Sequence, residues 1–260
     1  MRHARRVGYL ARDTGDFAMS RFEPPRRRAH AKGERGPAPA PARPVPLLGA
    51  AAPGAGLRIA DDLFMIAHRD WDGRPLLPVR VMGLSMAGAM LCELALLRCV
   101  GVRDGAVLAR GSAAPIEEVA QSVLTQLLAQ AESLPVKDWL AYLASDMADA
   151  VGQRLLNAGV VQVHKRWRSV RFVPVDSTAA FFTAGKLAVT LDNGKAFSPA
   201  QSALIGLVQA AGLLGHLPCA DPAAARSRAT AVTESLAWPL DGLVAETAAA
   251  IDKAIITGRT

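Results

Sequence analysis

Apolar positions recur at helical spacing over most of this chain. The densest run, Gly83–Val100 (GLSMAGAMLCELALLRCV), is apolar on nearly every face. A helix greasy all round belongs at the centre of a helical domain. Small residues at Gly83, Ala87, Gly88 and Ala89 predict close approach by neighbouring helices along its first turns. Glu93 is the one acid in the run; buried alone it would be costly, so it is expected at an edge or paired with an arginine. Ahead of this run, Leu57–His68 reads as a short apolar helix with Asp61 and Asp62 in its first turn, ending at the turn Arg69–Gly73. Beyond it, Cys99–Arg110 carries Asp104-Gly105 between short apolar runs, a hairpin signal. Pro115–Glu132 is amphipathic, with Ile116, Val119, Val123, Leu124, Leu127 and Leu128 on one face and Glu117 and Glu118 at its positive end. Helices over Pro135–Ala144 and Asp146–Asn157 follow, the second closed by Gly159.

The period then switches to two. Val160–Val163 and Val170–Val175 alternate as strands, joined by the turn His164–Arg168. Four helical stretches complete the chain: Ser177–Leu191, Ser198–His216, Asp221–Leu236 and Asp241–Ile256, the middle two opened by Ser-Pro and Asp-Pro. The expected fold is mainly α, a helical bundle around a central apolar helix with one or two small β-hairpins.

Composition agrees with that pattern: 51% of residues are hydrophobic and only 5% aromatic, so Ala, Leu and Val build the core. Charge divides the chain. Residues 1–50 hold eleven Lys/Arg and four Asp/Glu, whereas the other 210 hold nineteen of each sign, so the net +7 belongs to the N-terminal segment. Residues 1–56, rich in Arg, Pro, Ala and Gly, bury too little apolar surface to offset chain entropy and read as a disordered basic tail, a solvated extension or an electrostatic tether. Residues 57–260 form the expected α-helical domain. No continuous apolar region follows the MRHARR start, and Ala203–Gly215 is too short to span a bilayer comfortably. A cytoplasmic chain with peripheral membrane contact is the expectation.

Candidate chemistry is sparse. Cys92, Cys99 and Cys219 show no metal or disulfide spacing and read as small apolar residues in a reducing compartment. His68, His164 and His216 lie far apart, so no metal site and no cofactor are indicated. Asp61 and Asp62 are adjacent and point about 100° apart on a helix, and Asp146 and Asp149 read as a solvated face. Ser85 in GLSMAG lacks the spacing of a nucleophile elbow. No catalytic residue emerges. The constellation that stands out is the hairpin turn, where Lys165, Arg166 and Arg168 surround Trp167. Basic residues near an anionic bilayer gain about 1 kcal/mol each, and tryptophan favours the membrane–water interface. The same helix-then-basic-hairpin order also reads as the recognition helix and wing of a winged-helix nucleic-acid binder. Against that stands the charge of the helix, where Asp146 and Asp149 outweigh a lone Arg154, so nucleic acid is the disfavoured partner.

Leu57–Leu77 (LRIADDLFMIAHRDWDGRPLL) with Gly88–Leu97 (GAMLCELALL) resembles the opening of the Golgi phosphoprotein 3 family, whose domain also occurs in bacteria. Gln153–Val161 (QRLLNAGVV), followed by a hairpin, is similar to that family's mid-domain segment. The resemblance runs from about Leu57 to the C-terminus. It implies a mainly helical, non-enzymatic protein. Eukaryotic members bind phosphatidylinositol 4-phosphate at the Golgi membrane and act as adaptors retaining glycosyltransferases, and the family hairpin is implicated in self-association and membrane contact. Anionic phospholipid headgroups, client membrane proteins and a second copy through the hairpin are therefore the implied partners. The family's phosphoinositide pocket falls here on Pro78, Ala87, Ser145 and Ala148, none of which supplies the charge-assisted donors a phosphomonoester wants. Arg74, Arg80 and Arg154 lie nearby in sequence as substitutes. The implied lipid-binding set is Lys165, Arg166, Trp167, Arg168, Arg80 and Arg154.

Overall fold

The computed structural model describes residues 58–111, 117–166, 169–194 and 196–258. The expected basic tail, and Trp167 and Arg168 of the hairpin turn, lie outside the described residues. In chain order the elements are α1 (Ile59–Ile66), α2 (Val79–Leu96), β1 (Val100–Arg103), β2 (Ala106–Ala109), α3 (Glu118–Ala129), α4 (Val136–Leu143) and α5 (Met147–Asn157). They continue as β3 (Val161–Arg166), β4 (Ser169–Pro174), α6 (Ser177–Asn193), α7 (Pro199–Ala210), a 3-10 turn at Leu213–His216, α8 (Pro222–Glu234) and α9 (Leu240–Thr257). The expected bundle with small hairpins is what forms: β1–β2 and β3–β4 are separate two-stranded antiparallel ribbons.

The centre is α2. Every residue from Val81 to Ala95 is buried, and α1, α4, α5, α7 and α9 pack around it. By length and composition α2 could cross a membrane, with a mean hydropathy of 1.5, yet 83% of it is buried inside the bundle. The small residues act as expected. A Cβ at Gly83 would lie 2.0 Å from the Ala144 carbonyl oxygen, and one at Gly88 2.4 Å from Thr247 Oγ1, so α4 and α9 approach where glycine leaves room. Ser85 is an inward hydroxyl donating to the Val81 carbonyl one turn back (2.8 Å). Cys92 and Cys99 are buried, and burial with the neighbouring Glu93 charge pushes the Cys92 thiol up to about 12.

Several boundaries moved for local reasons. α2 runs four residues ahead of the expected segment at both ends. Pro78, whose fixed φ suits a helix entrance, precedes its first turn, and Arg98 in the left-handed region (φ 59°) ends it. α3 is shorter than expected because Glu117 caps it, accepting from the Val119 and Ala120 N–H groups (3.0 and 3.3 Å). The expected helix to His216 stops at Ala210, since Gly212 (φ 74°) turns the chain into the 3-10 segment. In the basic hairpin the ladder continues through His164↔Arg171, Lys165↔Val170 and Arg166↔Ser169, so residues expected in the turn are strand.

Candidate functional site

Two groups of charged residues define the interesting chemistry, one inside the bundle and one on its surface. The inner group forms where the N-terminus of α1, the C-terminal half of α2, the start of α3 and the face of α5 meet. Met147, Val151, Arg154 and Leu155 share the buried side of α5, so the helix carries Arg154 inward among apolar neighbours. Its side chain is 5% exposed. Nε donates to Asp61 Oδ1 (2.8 Å), and Nη1 donates to Glu117 Oε2 (2.9 Å) and, at the limit of range, to Glu93 Oε2 (3.5 Å). Nη2 sits 2.6 Å from the same Asp61 oxygen, in ionic contact without the alignment of a hydrogen bond. Glu93 also accepts from the Ala60 N–H (2.8 Å), joining α2 to the first turn of α1, and Asp61 pairs with Arg58 (3.2 Å).

Three carboxylates surround one guanidinium, and burial and hydrogen bonding move Glu93 and Glu117 in opposite directions. Burial pushes Glu93 up to about 7, although Arg154 and the Ala60 N–H pull the other way. For Glu117 burial also works upward, but the Val119 N–H and Arg154 outweigh it and hold that carboxyl below its ordinary value. Burial lowers the Arg154 pKa, and the charges of Glu93 and Asp61 more than restore it, so the guanidinium stays charged. Asp62, at the solvent-facing rim beside this group, is raised to about 6 by desolvation and by Asp61.

The outer group lies where the α1–α2 loop meets the β3–β4 ribbon. Gly73 (φ 61°) has no room for a side chain: a Cβ there would lie 2.1 Å from the Phe172 carbonyl oxygen, so the loop rests directly on the backbone of β4. Asp72 pairs with Arg171 across the contact (3.5 Å), and Phe172 meets the edge of Phe64, which stacks on His68. Burial lowers the His68 pKa against its bond to the Phe64 carbonyl, so the ring stays neutral here at ordinary pH. The loop so anchored carries Trp71, 69% exposed, with the Arg69 guanidinium over its ring (5.5 Å). It leads into the exposed first turn of α2, where Val79 is 88% exposed and Arg80 faces solvent.

The sequence-derived residues therefore part company. Lys165 is exposed on β3 and Arg80 is exposed on α2. Arg166 ends β3 by pairing with Ser169, while Trp167 and Arg168 are outside the described residues. Arg154 is a correction: with its donors turned to Asp61, Glu117 and Glu93 inside the bundle, it is not a surface cation for a headgroup. Glu93 pairs with an arginine as expected, whereas Asp61, read as a simple first-turn acid, is its ion-pair neighbour. Trp71 was not singled out by sequence reasoning, although its place beside Asp-Gly in an interhelical turn is a signal of exposure. Of the family's pocket positions, Ala87 is fully buried, Pro78 is exposed ahead of α2, and the Ser145 hydroxyl is held by the Tyr142 carbonyl and Asp146.

No curated protein matches the chain. The sequence profile described as Golgi phosphoprotein 3 (GPP34) matches residues 59–254, from the first residue of α1 to the last turn of α9. That range takes in the central apolar helix, the ion cluster and both ribbons, and the chain belongs to the Golgi phosphoprotein 3 family.

Proposed function

We propose that the protein is a non-enzymatic, peripherally membrane-associated adaptor that meets anionic phospholipid through the face built by the α1–α2 loop and the β3–β4 ribbon. The observation that carries this reading is the Gly73–Phe172 contact, which ties the loop holding Trp71 and Arg69 to the ribbon holding Lys165. Arg80 follows the loop, Arg166 is the last residue of β3, and Trp167 and Arg168 come next in the sequence. Aromatic and basic side chains fixed on one surface suit the headgroup region, where the ring sits at the interface and each cation adds attraction. Phosphatidylinositol 4-phosphate is the headgroup the family suggests. The absence of cationic donors at Pro78, Ala87, Ser145 and Ala148 favours recognition of negative charge over that particular headgroup. Client membrane proteins, and a second copy through the hairpin, are the further partners this reading entails.

Binding of duplex nucleic acid is the weaker alternative. Arg154 is the only cation of α5 and faces inward, while Asp149 is exposed, so that helix offers phosphates no positive charge. Co-sedimentation with vesicles tests the choice. Pelleting is expected with vesicles containing phosphatidylserine, reduced by Trp167→Ala, Trp71→Ala and Lys165→Glu, and weakened by added salt. Equal pelleting with pure phosphatidylcholine, or salt-sensitive duplex DNA binding in place of vesicle binding, would overturn it.

A further inference from the structure

A second cationic feature lies at the other end of α2, away from the loop and ribbon just described. The C-terminus of α2, the β1–β2 ribbon and the start of α9 enclose a cleft of about 520 Å³, within the range of small-molecule sites. Three arginines line it, Arg98, Arg103 and Arg110, and no carboxylate does. None of the three has an ion-pair or side-chain hydrogen-bond partner among the described residues. In a domain with equal numbers of acids and bases, three unneutralised guanidiniums around one cavity are a charge imbalance with a location.

The backbone puts them there. The ladder pairs Gly101 with Leu108 and Arg103 with Ala106, so strand alternation sets Gly101, Arg103, Leu108 and Arg110 on one face of the ribbon. The Arg110 N–H donates to the Cys99 carbonyl (2.8 Å), which brings Arg110 beside Arg98 at one end of that face. Arg103 stands at the other end, about 13 Å along the strand. Arg98 itself occupies the left-handed position that follows a helix, where glycine is the usual residue.

Between the two ends lies Trp238. Its Nε1–H donates to the Val102 carbonyl (2.9 Å), and its ring rests on Gly101, where a Cβ would approach Cη2 to 3.2 Å. The indole is thus fixed in place while remaining 67% exposed, an oriented aromatic surface with its polar atom already satisfied.

We propose that this cleft binds a phosphate-bearing molecule with an apolar or aromatic body, the phosphate held by Arg98 and Arg110 and the body laid over Leu108 and Trp238 toward Arg103. Guanidiniums match phosphate oxygens in pairs, and more than one positive charge suits a phosphate better than a carboxylate. A lipid headgroup and a soluble phosphate compound share this chemistry. The cleft does not depend on the membrane-contact reading, because the ribbon of that reading packs on the loop entering α2 and the cleft on the end where α2 stops. Those ends are about 27 Å apart for an 18-residue helix.

Titration calorimetry on the full chain distinguishes the cases, using dihexanoyl phosphatidic acid below its micelle concentration, inorganic phosphate and dihexanoyl phosphatidylcholine. Saturable binding of the phosphatidic acid is expected, with little heat from the phosphatidylcholine. Arg98→Gly, which suits the backbone there, and Arg110→Gln should each weaken it at least tenfold, and Trp238→Phe and Arg103→Gln by severalfold. Inorganic phosphate binding as tightly as the lipid, and equally sensitive to Arg98→Gly, would support the cleft and assign it to soluble phosphate compounds. Absence of binding by both phosphate probes would overturn the proposal. So would full affinity in Arg98→Gly and Arg110→Gln proteins that melt like the parent. Lys165→Glu is expected to leave this titration unchanged while lowering vesicle pelleting, so a failure of either reading is recognised separately.

Discussion

Arg154 and Arg80 carry the same side chain and answer to different constraints. Arg154 stands between Asp61, Glu93 and Glu117 inside the bundle, and Arg80 stands in solvent at the first turn of α2. A guanidinium taken out of water must have partners, and its partners must have it. Removing one member of such a set leaves uncompensated charge in the interior. At the surface, water substitutes for any partner and the charge is free to attract something else. The same contrast separates the ion cluster, which holds α1, α2, α3 and α5 together, from the exposed cations Arg80, Lys165, Arg98, Arg103 and Arg110, which make no ion pair among the described residues.

The widest gap should open on deleting each arginine. Arg154→Ala is expected to destabilise the domain by about 3–5 kcal/mol, and Arg80→Ala by less than about 0.5 kcal/mol, in urea denaturation followed by far-UV circular dichroism. Equal effects would erase the distinction. Next comes pH. Glu93 ionises near 7 in the fold against 4.5 ordinarily, so between those values the fold holds a proton that the unfolded chain has released. Its contribution to stability is full below about 4.5 and falls as pH rises to about 7, by about 3 kcal/mol in all. Asp62 acts in the same direction up to about 6, and Glu117, whose pKa is lowered, acts oppositely as pH falls below its ordinary value. Denaturation midpoints measured from pH 4.5 to 7.5 should therefore slope more steeply downward in the parent than in Glu93→Gln. Parallel slopes would show that Glu93 is ionised throughout.

A smaller effect is expected where the surface is tied to the core. Gly73→Ala meets the Phe172 carbonyl and an unfavourable φ, and should cost about 1–3 kcal/mol while loosening the loop from the ribbon. Trp71 fluorescence should shift toward that of a mobile indole, measured with the other tryptophans replaced by phenylalanine. The smallest effects belong to single surface cations. Lys165→Ala and Arg80→Ala should each lower affinity for phosphatidylserine vesicles about fivefold, equivalent to about 1 kcal/mol, with melting curves unmoved.

Much of the fold was legible because periodicity and punctuation are local properties. The all-round apolar run, the Asp104-Gly105 turn and the Ser198 and Asp221 caps each announce their element from a few residues. The Ser198 cap even forms a reciprocal pair with Gln201. What could not be read was which of the scattered acids would meet Arg154. Asp61 lies 93 residues from it and Glu117 lies 37, and each alone looks like an acid in the first turn of a helix. The helical wheel of α5 did hold the clue, since Arg154 falls in line with Met147 and Val151. The surface was half legible. Clustered cations in Lys165–Arg168 are visible in sequence, whereas Trp71 and Trp238 gain significance only once neighbours hold them outward.

One consequence of the central helix reaches back to the ribosome. Val79–Leu96 has the makings of a bilayer span, and what conceals it includes α7 and α9, the latter ending at Thr257. Through most of translation, then, the segment has no permanent cover, and its Gly88 notch stays empty until Thr247 emerges to fill it. A chain cut short before α9 would leave one greasy side of that helix open, the kind of surface that chaperones and membranes compete to capture.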